Sequence, residues 1–317
     1  MKNKLIKIDI MTSFFRSLKN LAIKDKSIFF ITADHGAWAL AEYKKSCSRQ
    51  YLNIGISEQN MVSVAAGMAL NGHKVFIFTI TPFLIERAFE QIKMDISYAN
   101  LPITIVGNGS TLTYANHGAS HQAIEDLSLI RALPNFTIIN PSTNKLAQKA
   151  VSLAYKSKKP TYIKLDKGFF PNSKNIFKTL FNGCHEVYRN NILKNNCCII
   201  CTGTIVHNLQ KLIEDNKALQ NYDLFELFII KPINEKKLLN LIKNYKNIVT
   251  IEEQHITGGI SSIISFIIAK NKLSLNFDCI AINDNFIKKH GNREWLRKQY
   301  KLDDLNIFKK LKKIIKN

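Results

Sequence analysis

The sequence predicts an α/β protein of two consecutive domains, each a mainly parallel sheet flanked by helices. Three observations predict it. Short apolar runs such as Ser27–Thr32, Lys74–Thr79 and Leu101–Gly107 alternate with helix-spaced segments, the order that builds parallel sheets. Several of these runs end in polar or glycine-bearing loops, and open parallel sheets place ligands at the carboxyl ends of their strands. After residue 168 the alternation lapses and it restarts from Cys184, and 317 residues suit two domains better than one. The expected organisation is domain 1–168, linker 169–182 and domain 183–317.

Residues 12–24 read as the first helix. The strand Ser27–Thr32 ends at Ala33-Asp34-His35-Gly36, where Asp34 reads either as a ligand contact or as a turn-former. The stretch from Asn53 to Gly72 comes next. Ser57 suits a helix N-cap, the apolar spacing from Met61 to Leu70 a helix, and Asn71-Gly72 its stop. Glu58 then falls in the first turn, where a carboxylate complements the helix dipole. Lys74–Thr79 is a buried strand by length and β-enrichment, ended by Pro82. Phe83 and Phe89, six apart at a helix entry, suit core packing. Leu101–Gly107 is a third strand, and the loop Asn108–Ser120 has the glycines and polar residues of an active-site wall. His121 stands at a helix start, where an imidazole caps or, titrating near neutral pH, moves a proton. Thr137–Pro141 and Pro160–Gly168 supply two more strands with a helix between them, and Lys167 lies in the closing turn.

Phe169 to Phe181 has little periodicity and reads as the linker. The second domain follows with the strand Cys197–Thr202, a turn at Gly203, a helix to about Leu219 and a strand Leu224–Ile230. Another strand from Asn247 ends in Glu252-Glu253. That pair suggests acid/base work, but a helix N-terminus after a strand is the simpler account. Phe308, Leu311, Ile314 and Ile315 mark the last segment as an amphipathic helix with a solvated lysine face.

Composition excludes several function classes. No apolar run approaches the ~18 residues that span a bilayer. The basic opening Met1–Asp9 lacks the apolar core and cleavage site of a signal peptide, so the expectation is a cytoplasmic chain with no membrane association. The net charge of +21, from 45 Lys and Arg against 24 Asp and Glu, is spread along the whole length. With no arginine-rich stripe and no recognisable module, no nucleic-acid partner is expected. Cys47, Cys184, Cys197, Cys198, Cys201 and Cys279 lack paired CxxC or His spacing. They read as inert thiols in a reducing compartment, with no metal ligands among them.

The wording of the Glu58 stretch adds chemistry. Asn53-Ile-Gly-Ile-Ser-Glu58-Gln-Asn-Met61, followed by Val-Ser-Val-Ala-Ala-Gly-Met-Ala, resembles the segment of transketolase-like enzymes that holds the aminopyrimidine ring of thiamine diphosphate. Thr81–Ile96 resembles the family's Phe-Leu-x-x-Arg-Ala-Tyr-x-Gln-Ile, and His117–Asn135 its Asp-Gly-x-Thr-His-Gln…Glu-Asp…Arg-x-x-Pro-Asn. The Glu252-Glu253…Gly258-Gly259 turn and the Asp284–Asp303 segment resemble its later signatures, so the likeness covers almost the whole chain. The resemblance implies that Glu58 hydrogen-bonds the ring nitrogen, shifting the ring to the form that deprotonates the thiazolium carbon. It implies that Phe83 stacks on the pyrimidine with Phe89 beside it, in place of the usual tyrosine, and that Asp34 approaches the cofactor region. It makes His121 a catalytic, substrate-contacting residue, with His117 and Lys167 facing the substrate and Glu125 and Arg131 in a structural or interfacial network.

Such enzymes hold the diphosphate through Mg2+, with a Gly-Asp-Gly stretch and an asparagine, because two phosphates need a hard cation with oxygen ligands. The nearest stretch here, Gly107-Asn-Gly109, lacks the carboxylate. The resemblance thus implies half a cofactor site, with Mg2+ and the diphosphate held by a separate N-terminal transketolase subunit in an α2β2 heterotetramer. Met11-Thr12, Asn108-Gly109-Ser110 and His117 stand where full-length members have an arginine, a His-Asp-Ser segment and an aspartate. The usual sugar-phosphate clamp is therefore incomplete. The function expected is transfer of a two-carbon ketol unit between sugar phosphates or related sugars, a transferase of aldehyde or ketone groups. The alternatives are a 1-deoxyxylulose-5-phosphate synthase-like enzyme, a 2-oxoacid dehydrogenase β-type subunit, or a non-catalytic transketolase-like subunit.

Overall fold

The computed structural model describes residues 7–36, 38–109, 111–171, 177–190 and 196–316. Most of the basic opening (1–6), the middle of the expected linker (172–176) and Ser110 lie outside the described residues. The chain starts with strand β1 (Lys7–Asp9) and helix α1 (Ile10–Lys24). The helix opens earlier than its spacing predicts because the Asp9 carboxylate accepts from the amides of Met11 and Thr12 at 3.4 and 3.1 Å. Next come β2 (Ile28–Thr32), α2 (Trp38–Ser46), β3 (Tyr51–Asn53), α3 (Glu58–Leu70) and β4 (Lys74–Ile80). Then follow α4 (Thr81–Ile85), the single turn α5 (Phe89–Gln91) continuing as a π-helix over Ile92–Tyr98, and β5 (Thr104–Asn108). The helix α6 (Asp126–Ala132), β6 (Thr137–Ile139), α7 (Asn144–Lys156) and β7 (Thr161–Leu165) complete the first alternating run.

These strands lie side by side in the order β3, β2, β4, β5, β7, β6, all parallel. Ile10, Phe14, Leu18 and Ala22 recur every four residues and turn one stripe of α1 onto the sheet. Phe15 meets Phe30 and Phe78 edge-on at 5.6 and 5.1 Å, and α7 closes the same cluster with Leu146, Ala150 and Val151. The other face is covered by α3 through Met61, Val62 and Ala65. That cluster runs on through Cys198, Ile200 and Phe225, so the two sheets share apolar packing.

The expected linker 169–182 is strand at both described ends. β8 (Phe169–Pro171) pairs antiparallel with β1, and β9 (Lys178–Phe181) pairs antiparallel with β10 (Cys184–Tyr188). The chain continues through β11 (Cys197–Cys201), α8 (Val206–Asp215), β12 (Tyr222–Leu227), β13 (Ile229–Lys231), α9 (Glu235–Ile242) and β14 (Asn247–His255). It ends with α10 (Ile260–Lys270), β15 (Asn276–Ile282), α11 (Arg293–Gln299) and α12 (Asp304–Lys316). The second sheet has the order β15, β14, β11, β12, β10, β9, and its first four strands are parallel. The single strand expected over Leu224–Ile230 divides at Phe228. Its first part is β12, whereas β13 crosses back to lie antiparallel to β6 in the first sheet. Gly183, at φ +89°, permits the crossing, because its carbonyl accepts from Phe228 and Ile229 and a Cβ there would meet Ile229 Cβ at 2.6 Å.

Charged side chains link the two halves. Lys164, 1% exposed, donates to Asp126 at 2.7 Å and to Gln254 at 3.0 Å. Arg293 of α11 donates to both Asp166 oxygens at 3.1 and 2.9 Å and also to Glu253, which accepts from Arg297 at 2.6 Å. Arg131 donates to the carbonyls of Gly258 and, at 2.9 Å, Gly259, while Glu125 is the N-cap residue of α6 without a capping bond from its side chain. Glu252 accepts from the amides of Ile260 and Ser261 at 2.8 and 2.9 Å, so it caps α10 as the simpler reading of the Glu-Glu pair has it. All six cysteines are free thiols and five are buried. Among the described residues no helix is long and apolar enough to cross a membrane.

Candidate active site

The carboxyl ends of β2, β3, β4, β5 and β7 open on one edge of the first sheet, and the loops leaving them carry most of the expected site residues. At the end of β3, Gly55 turns the chain with φ +78° and Ser57 becomes the N-cap of α3. The Ser57 hydroxyl donates to the Ile54 carbonyl at 3.0 Å and so holds the turn without capping the helix amides. This turn places Glu58 at the first position of α3, only 3% exposed. Its carboxylate accepts from Arg87 Nη1 at 2.9 Å.

From Glu58 the site extends as a line of touching groups. The Arg87 guanidinium lies over the Phe83 ring, 4.7 Å from its centroid. Phe83 meets His121 at 4.9 Å between ring centroids and 74° between planes, and His121 meets His117 at 5.0 Å. Tyr114 packs edge-on against both imidazoles, at 5.6 Å from His117 and 6.1 Å from His121. Its hydroxyl accepts from Asn108 Nδ2 at 2.9 Å, and the same Asn108 nitrogen touches His35. Lys167 Nζ stands 5.5 Å from the Tyr114 ring centroid. Beside this line is a cavity of about 450 Å³, walled by Met11, Thr12, His35, Trp38, Tyr114 and Lys167.

The surroundings set the charge of the two inner imidazoles. Burial first, and the Lys167 cation second, lower the His35 pKa to about 4, so this ring is neutral at pH 7. Burial first and His117 second hold His121 below the usual histidine value, which leaves its imidazole free to accept a proton. Burial also pushes the Tyr114 phenol up to about 12, so it stays protonated.

The structure thus brings Glu58, Phe83, His121, His117 and Lys167 into one neighbourhood. Asp34 and Phe89 stand apart from that line. Asp34, at φ +50°, exchanges two 2.9 Å bonds with Asn53, its amide donating to Asn53 Oδ1 and Asn53 Nδ2 donating to its carboxylate. These bonds tie the loop after β2 to the end of β3. Phe89 is half-buried against the apolar cluster under α3. Arg87, Tyr114 and His35 are not singled out by sequence, and Asn108 is noted there only as a departure from the family's pattern. Arg87 sits inside the Phe-Leu-x-x-Arg segment and His35 at a strand's carboxyl end, which were the signals available for them. Among the described residues no group of three His, Cys, Asp or Glu is placed to hold a metal.

The chain is similar to known proteins along nearly its whole length. Residues 7–172 match the model of the transketolase pyrimidine-binding domain, and residues 190–307 that of the transketolase C-terminal domain. A Methanocaldococcus jannaschii protein described as a transketolase C-terminal section is 30% identical over 302 residues, covering 93% of this chain and 92% of the relative. One subunit of an apulose-4-phosphate transketolase from Phocaeicola vulgatus is 28% identical, covering 96% of each chain. A 1-deoxy-D-xylulose-5-phosphate synthase from Clostridium beijerinckii is 30% identical over 95% of this chain but over only 48% of its own length. Among solved structures, a split-gene transketolase in an inactive beta4 tetramer superposes with a TM-score of 0.81, over 98% of this chain and 99% of that one, at 24% identity. Over its pyrimidine-binding and C-terminal domains, the chain belongs to the transketolase family.

Proposed function

We propose that the chain is the pyrimidine-side subunit of a split transketolase, moving a two-carbon ketol unit from a ketose to an aldose. The family is thiamine diphosphate-dependent, and when bound that cofactor would supply the nucleophilic carbon that adds to the ketose carbonyl and the cationic ring that takes up the electron pair of the broken carbon–carbon bond. The observation that carries the proposal is the pairing of the buried Glu58 carboxylate with the Phe83 ring. The flat, nitrogen-bearing guanidinium of Arg87 satisfies both at once, so the pair fits a flat nitrogen heterocycle such as the aminopyrimidine.

In this reading Glu58 holds the ring nitrogen and Phe83 the ring face. His121, a neutral imidazole buttressed by Phe83 and His117, exchanges a proton with the substrate next to the reacting carbon. Lys167 and the cavity beside it receive the far end of the sugar. The Mg2+ and diphosphate belong to a partner subunit, and two of each chain form an α2β2 assembly. Sugar phosphates or related sugars are the substrates. Six free thiols suit a reducing compartment, and the cytoplasm is the location proposed.

End-to-end similarity to the transketolase subunits favours this reading over the synthase, which the chain matches along about half of its length. The test is an assay with thiamine diphosphate, Mg2+ and a diphosphate-binding subunit, offering xylulose 5-phosphate with ribose 5-phosphate, and separately pyruvate with glyceraldehyde 3-phosphate. Ketol transfer that appears only with both subunits supports the proposal. Condensation of pyruvate instead makes the chain synthase-like.

A further inference from the structure

The side chain of Arg87 is 48% exposed, so the fold does not require it to stay where it is. Yet its guanidinium lies 2.9 Å from Glu58 Oε2 and 4.7 Å from the centre of the Phe83 ring. These are the two contacts that the proposed function assigns to the aminopyrimidine, a hydrogen bond at Glu58 and a stacked face at Phe83. A guanidinium shares the features that matter there, being flat, nitrogen-rich and a donor of in-plane N–H groups. We infer that Arg87 is an internal stand-in for the aminopyrimidine, filling its place in the cofactor-free subunit and leaving when the cofactor enters. The inference rests on the reading of Glu58 and Phe83 as the pyrimidine site.

Three features of the site support it. Glu58 is almost fully buried, and its ion pair among the described residues is with Arg87. A buried carboxylate with no partner is costly, so a subunit awaiting cofactor needs something in that position. His121 meets Phe83 at a steep angle of 74°, whereas the Arg87 guanidinium carbon lies over the ring, 4.7 Å from its centre. Finally, Arg87 sits between α4 and α5, with Ile85 and Ala88 on either side wholly buried. The backbone is therefore anchored while the long side chain can swing into solvent without unpacking the core.

Displacement of the stand-in subtracts from the cofactor's affinity, because the binding-competent arrangement is only part of the free ensemble. The sign of an Arg87 substitution is therefore diagnostic. Removing a stand-in tightens cofactor binding, whereas removing an arginine that remains beside the bound cofactor weakens it. Isothermal titration of thiamine diphosphate with Mg2+ into the assembled two-subunit complex reads the difference. Arg87→Ala should bind roughly tenfold more tightly than wild type, the scale of one ion pair plus one cation–π contact. In that variant, free guanidinium ion at millimolar concentration should compete with the cofactor. Arg87→Gln, flat but uncharged, should fall between the two and supplies the measurement if the alanine variant assembles poorly. Equal or weaker binding by both variants overturns the stand-in and leaves the pyrimidine site intact. A complex that binds no thiamine diphosphate with or without Arg87 overturns the site reading, and the stand-in with it.

Discussion

Replacing Arg293 by alanine should loosen both the junction of the two sheets and the wall of the site. Arg293 donates to Asp166 at 3.1 and 2.9 Å, to Thr204 at 3.1 Å and to Glu253. Both carboxylates are nearly out of contact with water, Asp166 at 1% and Glu253 at 6% side-chain exposure. Removing one partner of such a group costs about 3–5 kcal/mol, because the remaining charge stays buried. For a chain of this length, about 4 kcal/mol corresponds to a fall in Tm of about 6 °C. Burial alone would push both carboxyls up. Arg293 with Thr113 and Thr204 reverses this at Asp166, and Arg293 with Arg297 reverses it at Glu253, so both lie below the usual carboxylate range. A carboxylate held low in the folded state adds stability above its unfolded pKa of about 4, and that stability is lost as pH falls through the lower folded value. The gap between wild type and Arg293→Ala should therefore be full near pH 7 and narrow below about pH 4. Asp166 Oδ1 also accepts from the Lys167 amide at 2.8 Å and the Thr113 hydroxyl at 2.6 Å, so the variant should raise KM for the donor sugar several-fold. Urea unfolding at the two pH values, with steady-state kinetics, checks both effects. A gap under about 1 kcal/mol near pH 7, or one that does not narrow in acid, would refute the reasoning.

Other perturbations have equally definite outcomes. His121→Ala should lower kcat/KM by about 10²–10⁴-fold. It should also remove an acid limb that in the wild type falls below the usual histidine value of about 6.5, and a pH profile unchanged by the substitution would return His121 to a structural role. Lys167→Ala should raise KM for the sugar roughly tenfold if its charge faces the substrate. The same change should raise the His35 pKa from about 4, since Lys167 adds to burial in lowering it, and ring-proton NMR titration would detect the shift. Gly183→Ala should destabilise the fold by about 1–3 kcal/mol, because the new Cβ would meet Ile229 in a left-handed turn. Urea midpoints equal to wild type would contradict that account of the crossing into β13.

Much of the fold was legible because its signals are local. The Ser57 cap position, the spacing from Met61 and the Asn71-Gly72 stop lie within one turn of the residues they govern, and α3 has the bounds they imply. The same stretch fixed the place of Glu58 at the start of that helix. What escaped the sequence depends on distant partners. Arg87 and Glu58 are 29 residues apart, and no periodicity connects them. The strand β13 exists because Ile229 finds Ile139, and β8 because Phe170 finds Ile8, so a stretch without alternation still became sheet. Lys164 reads as an ordinary strand lysine, yet Asp126 and Gln254 bury it. At Asp34 the sequence leaves two readings open, and its reciprocal bonds are to Asn53, 19 residues away, which no local pattern announces.

In the function proposed, Glu58 is the carboxylate through which this chain engages the cofactor. Its most direct test is ketol transfer by the assembled two-subunit complex with Glu58→Ala in place of the wild-type chain, alongside titration of thiamine diphosphate. A loss of at least a hundredfold in kcat/KM with weakened cofactor binding, in a protein that still folds and assembles, is the predicted result. Transfer and cofactor affinity within about twofold of wild type would contradict it.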